Sequence, residues 1–128
     1  MNKTECAEKA VSLKRSGYNC CQAVAVAIAE MEGVPSEDFL KLASGFGMGM
    51  GNMQATCGAL VGAVIMAGKK TEGSGTVRFA RQISESFKSK CGAVTCSELK
   101  GYPNGKVLCP CDQCVKNAVL CYCEVFNM

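Results

Sequence analysis

The residues best suited to chemistry in this chain are its cysteines, 11 in 128 residues, set against no histidine at all. A thiolate is a nucleophile, a two-electron reductant when a second thiol stands beside it, and a soft metal ligand. The absence of histidine removes the usual general base near neutral pH and the imidazole ligand, so any metal site here must be rich in sulfur. The cysteines fall into groups: Cys6, then Cys20 with Cys21, Cys57, Cys91 with Cys96, the run Cys109, Cys111 and Cys114, and finally Cys121 with Cys123.

Cys20 and Cys21 follow Asn19, a good helix N-cap, where free amides and the positive end of the helix dipole favour a thiolate. Both are therefore candidate nucleophiles, although a cysteine beside Ala23 and Val24 also packs well as a small hydrophobe. Cys57 lies in Thr56-Cys57-Gly58-Ala59-Leu60-Val61-Gly62. Its small neighbours admit either a cofactor or a tightly crossing helix. The run Cys109-Pro110-Cys111-Asp112-Gln113-Cys114 joins a Cys-x-Cys to a Cys-x-x-Cys, spacing that suits a metal hook or a dithiol. A zinc ribbon needs a second such hook, and neither Cys91 with Cys96 nor Cys121 with Cys123 supplies the two-residue gap; bacterial ferredoxin spacing is absent as well. Helical geometry places Cys114 and Cys121 on one core-directed face and predicts Cys123 to be a surface thiol.

The elements that must position these sulfurs read as helices. Thr4–Ser16 carries an apolar stripe through Cys6, Ala10 and Leu13 and ends at Gly17. A second helix runs from the Asn19 cap through CCQAVAVAIAEM to Gly33 and Pro35. Ser36 caps a short third, with Phe39, Leu42, Ala43 and Phe46 expected to turn inward. Gly45–Asn52 is a glycine-rich loop free to visit positive φ. An alanine-rich helix over Met53–Ala67 has a thin Gly58, Ala59, Gly62, Ala63 face suited to close helix packing or to a dimer. Thr76–Lys90 stripes Val77, Ala80, Ile83 and Phe87; Cys91–Pro110 reads as irregular chain around a short turn at Ser97–Lys100; Asp112–Phe126 forms the last helix. No segment alternates with period two, so the prediction is all-α: one compact domain over residues 1–128, with five or six helices joined by short glycine-bearing loops.

Composition bounds the function. Apolar residues make up 48%, and 14 basic against 11 acidic residues leave a net charge of only +3 with no basic run longer than Lys69-Lys70, too weak for a nucleic-acid footprint. The longest apolar run, Cys57 to Gly68, falls well short of the about 20 residues that a membrane span requires. MNKTECAEKAVSLKRSG lacks the apolar core of a secretory signal, so a cytoplasmic location is expected. Cytosolic reductants oppose structural disulfides, and an odd count of cysteines cannot pair completely, which leaves redox exchange or metal ligation. Gly47-Met48-Gly49-Met50-Gly51 matches no nucleotide-loop fingerprint, and Met48, Met50, Met53 and Met66 suit core filling better than copper.

Taken together, Gly17-Tyr18-Asn19-Cys20-Cys21-Gln22-Ala23-Val24, then Gly51 through Thr56-Cys57-Gly58-Ala59 and Gly62, then Cys96-Ser97-Glu98-Leu99 with Gly101, then Cys114-Val115 resemble the C_GCAxxG_C_C family. The resemblance spans nearly the whole chain and implies a redox-active protein, of a kind often encoded near transporter genes. It makes Cys20, Cys57, Cys96 and Cys114 the characteristic cysteines. Those four either exchange electrons as dithiol and disulfide, a thiol-disulfide oxidoreductase-like activity needing no cofactor, or hold an iron-sulfur cluster or zinc in an electron-transfer module. The cluster is suggested by a related domain of split-Soret-type cytochromes. The chain departs from the family pattern by carrying Cys21 where alanine is usual, and by its further cysteines. Of these, Cys109 and Cys111 are the candidate additional metal ligands. A redox partner, an association with a transporter system and a homodimer are the partner expectations.

Overall fold

The computed structural model describes residues 1–103 and 105–128. Among them are seven α-helices and one π-helical turn, all helix and no strand as expected, but more elements than five or six. The helices are α1 (Lys3–Arg15), α2 (Cys20–Glu32), α3 (Glu37–Leu42), α4 (Gly58–Lys70), α5 (Thr76–Cys91), α6 (Cys96–Lys100) and α7 (Cys111–Val125). The excess over the expected number is α6, read from sequence as a turn, and the π turn at Gly49–Met53 within the glycine loop.

α2 is the axis of the molecule. Capping boxes open both α1 and α2: Glu5 N–H donates to Asn2 Oδ1 at 2.8 Å, and Gln22 N–H to Asn19 Oδ1 at 2.8 Å, each answered by a bond from the cap amide to the Glu5 or Gln22 side chain. Every residue of α2 from Ala23 to Ala29 is buried, as expected of a helix apolar on all sides. α1, α3, α4 and α7 pack around it, and α5 closes over α4 and α7. The thin face of α4 is what brings α4 close: a Cβ on Gly62 would lie 2.7 Å from the Cys21 carbonyl oxygen, and one on Gly58 2.6 Å from that of Phe46. That face is spent on α2 within the chain.

Four local expectations change. α4 begins at Gly58 rather than Met53, because Met53 takes a positive φ of 63° and Thr56 pairs in an antiparallel bridge with Thr95. Leu42 is 65% exposed and Val77 83% exposed, since α3 and the start of α5 lie at the periphery with one side covered. Cys123 is fully buried, because α7 is covered by α1, α2, α4 and α5 on several sides at once and has no wet face where Cys123 lies. The irregular stretch Cys91–Pro110 contains α6, and its residue 104 lies outside the described residues.

Candidate thiol centre

Four helix starts converge at one end of the bundle, each delivering a sulfur. Cys20 opens α2, Cys57 is the residue before α4, Cys96 opens α6 and Cys111 opens α7. The segment leading into α4 and the start of α6 are stitched together by two backbone bonds, Cys57 N–H to the Val94 carbonyl at 2.8 Å and Cys96 N–H to the Ala55 carbonyl at 2.9 Å. Gly49, at φ 56°, leaves room for Cys96: a Cβ there would fall 2.6 Å from the Cys96 Cβ. On the other side Asn19 Nδ2 donates to the Ser44 carbonyl at 3.0 Å, so the cap of α2 also holds the chain leading into the loop. These contacts frame a pocket of about 530 Å³ lined by Cys20, Cys57, Cys96, Cys111, Lys14 and Lys100, with Tyr18, Tyr102, Met48 and Met53 among its remaining walls.

Behind the pocket lies a second tier. Cys114, one turn into α7, interacts with both Cys57 and Cys91. Its thiol donates to the Cys109 carbonyl at 3.5 Å and Lys100 Nζ donates to its sulfur at 3.6 Å. The sulfurs of Cys91, Cys109 and Cys114 all lie within 4.8 Å of one another, and all three residues are buried. Asn117 Nδ2 donates to Cys91 Sγ at 3.3 Å while Asn117 Oδ1 accepts from Gln113 at 3.0 Å, which satisfies the buried amide.

Sulfur–sulfur contacts push the thiols of both tiers in opposite directions. A hydrogen bond from Cys20 brings the Cys111 thiol down to about 5 against the opposing effect of burial, with Lys100 and Lys14 assisting. Its partner Cys20 is correspondingly pushed up, by that bond and by burial. Contact with Cys114 lowers Cys57 to about 7, helped by the Ala59 and Leu60 amides at the start of α4, and contact with Cys114 lowers Cys91 to about 6, helped by Asn117. Contact with Cys57 and Cys91, together with burial, pushes the Cys114 thiol up. Burial acts against the Lys100 ammonium, but the charges of Cys114, Cys111, Cys57 and Cys20 outweigh it and hold its pKa above the ordinary lysine value.

At the Asn19 cap, the bond to Cys111 and burial push the Cys20 thiol up, while burial pushes Cys21 up to about 12, in the packing beneath α4. Of the residues selected from sequence, Cys20, Cys57 and Cys96 meet at the pocket and Cys114 sits behind Cys57; Cys111 joins the pocket and Cys109 the buried tier. Cys91 and Lys100 were missed. Lys100 had a signal, since Cys96 and Lys100 stand one helical turn apart on the same short segment. Cys91 had none beyond being a cysteine, because its approach to Cys109 and Cys114 depends on how α5 crosses α7.

A family model matches residues 18–125 and thus takes in every sulfur of both tiers; its description is "Putative redox-active protein (C_GCAxxG_C_C)". The chain belongs to the C_GCAxxG_C_C family. No curated protein and no solved structure matched the chain. Among the described residues of this C_GCAxxG_C_C protein, no helix is long and apolar enough to cross a membrane. The donor set of the inner tier suits a thiophilic ion: three buried thiols whose sulfurs all lie within 4.8 Å of one another.

Proposed function

We propose that the protein is a thiol redox carrier in which Cys20 and Cys111 form the exchanging dithiol. One observation carries this reading: Cys20 and Cys111, each opening a helix, interact through their sulfurs on the wall of an open pocket, with Cys111 the more accessible of the two. Exchange needs a thiolate that an oxidant can reach and a second sulfur close enough to displace what it captures. Cys111 meets the first requirement and Cys20 the second. Cys57 and Cys114 repeat the pairing one layer deeper, where a disulfide passed inward from the pocket would be sheltered. The test is mild oxidation of the reduced protein followed by peptide mapping in a mass spectrometer. A Cys20–Cys111 disulfide is expected as the first product and is lost in Cys111→Ser; oxidation that leaves both thiols free overturns the reading.

A second reading rests on a separate observation, the three buried sulfurs within 4.8 Å of one another. No external disulfide reaches them there, whereas a metal needs that burial and convergence. Cys91, Cys109 and Cys114, with Cys57 as the fourth ligand, would hold zinc or an iron-sulfur centre, which when bound supplies charge neutralisation or one-electron transfer next to the pocket. Lys100 then balances part of the charge of the thiolates, and Asn117 orients Cys91. Anaerobic purification with metal analysis and a visible spectrum checks this, and Cys91→Ser should empty the site while the Cys20–Cys111 disulfide still forms. A colourless protein that takes up neither zinc nor iron on reconstitution would sink it.

A further inference from the structure

We propose that the pocket at the four helix starts takes a small disulfide carrying negative charge as the oxidant of the Cys20–Cys111 dithiol, an inference that rests on the exchange reading above. At about 530 Å³ the pocket is a concavity of small-molecule size. Its charged lining residues are Lys14 and Lys100, and among the described residues that line it none is acidic. Most other lysines near a carboxylate are tied to it, as Lys70 is to Glu32 at 3.1 Å and Lys90 to Glu124 at 3.0 Å. Lys14 and Lys100 have no carboxylate partner among the described residues; Lys100 reaches the Cys114 and Cys111 sulfurs. Met48, Met53, Tyr18 and Tyr102 offer apolar and aromatic surface for the carbon skeleton attached to each sulfur.

Exposure sets the order of events. Cys111 is the half-buried thiol and Cys20 the 8% exposed one behind it. The Cys111 thiolate attacks one sulfur of the disulfide; that S–S bond breaks, a new one joins Cys111 to the captured half, and the other half leaves as a thiolate that takes a proton from water. Cys20 then gives up its proton to water and attacks the Cys111 sulfur, closing the Cys20–Cys111 bond and expelling the second thiolate, which is protonated in turn. The dithiol loses two electrons and the external disulfide gains them. During the first step negative charge develops on the departing sulfur inside a pocket lined by Lys14 and Lys100, which hold a departing group that is itself anionic better than a neutral or cationic one.

The test uses the reduced full chain with three disulfides of graded charge: oxidised glutathione, bis(2-hydroxyethyl) disulfide and cystamine. Rates of Cys20–Cys111 disulfide formation are divided by the rates of the same reagents with free cysteine, which removes their intrinsic reactivities. The normalised rates should fall in the order anionic, neutral, cationic, spanning on the order of tenfold at low salt and less at high salt. Lys100→Gln and Lys14→Gln should each compress that span, read as the ratio of the anionic to the neutral reagent within each variant. Lys14 stands on the partly exposed side of α1, so that variant keeps the comparison usable if the Lys100 variant fails to fold. Equal or reversed normalised rates overturn the anionic substrate and leave the exchange reading standing. Failure of all three reagents to close Cys20–Cys111 overturns both.

Discussion

Cys111 alone among the eleven cysteines, all of them described, is not buried, and it stands as the first residue of α7 between Cys20 and Lys100. Iodoacetamide at neutral pH should therefore modify Cys111 first, by about tenfold or more over any other position, read by peptide mass spectrometry. Cys6 and Cys123 are the opposite case. Burial raises Cys6 to about 12, with Cys123, Glu30 and Glu32 adding to it and the N-terminal amine opposing; burial raises Cys123 to about 11, with Lys3 opposing and Glu32 and Glu124 adding. Both values lie above the ordinary 9.0, so the folded state holds these protons more tightly than the unfolded chain does. Their contribution to stability is complete below about pH 9 and is lost as pH rises through about 11 to 12. Urea midpoints under reductant should fall from pH 9 upward, and Cys6→Ala should flatten that slope while lowering the plateau. The sequence marked every one of these residues as a sulfur but could not tell a reactive thiol from a packing one, because the difference is set by exposure and by which neighbour shares the proton.

Capping residues, glycines and apolar periodicity made most helices legible. Asn19 with Gln22 opens α2 and Gly33, at φ 73°, closes it, so both ends of the central helix are written locally. The start of α4 was misread because its apolar pattern extends back through Met53 and Ala55, whereas the backbone there is claimed by the bridge between Thr56 and Thr95. That pairing joins segments far apart in the chain and leaves no periodic mark. Gly62 exposes the same limit from the other side: sequence offered its thin face to a crossing helix or a second copy, and α2 occupies it. Gly62→Ala should cost about 1–3 kcal/mol in chemical denaturation, since its Cβ meets a backbone carbonyl that cannot move without shifting α2 against α4.

The assembled bundle is what places two helix tiers of sulfur back to back. α7 contributes Cys111 to the pocket and Cys114 to the inner tier, while its far end packs Tyr122 and Phe126 against α2, α4 and α5, with Tyr122 Oη donating to Glu32 at 2.9 Å. α5 is held mainly by Ile83 and Phe87, and it delivers Cys91 at its last turn. Phe87→Ala should cost about 3–5 kcal/mol and, by loosening α5 on α7, should weaken metal uptake at the inner tier more than disulfide formation at Cys20 and Cys111. Denaturation curves together with metal content and disulfide yield on the same preparation check both halves.

Helix class, sulfur-based chemistry and the cysteine that opens α2 follow from properties that are local in the chain: cap residues, apolar spacing and residue type. The pairing of Cys20 with Cys111, the meeting of Cys91 with Cys109 and Cys114, the placement of Lys100 and the burial of Cys123 depend on contacts between helices distant in sequence. The proton shared between two sulfurs belongs to neither residue until packing brings them together.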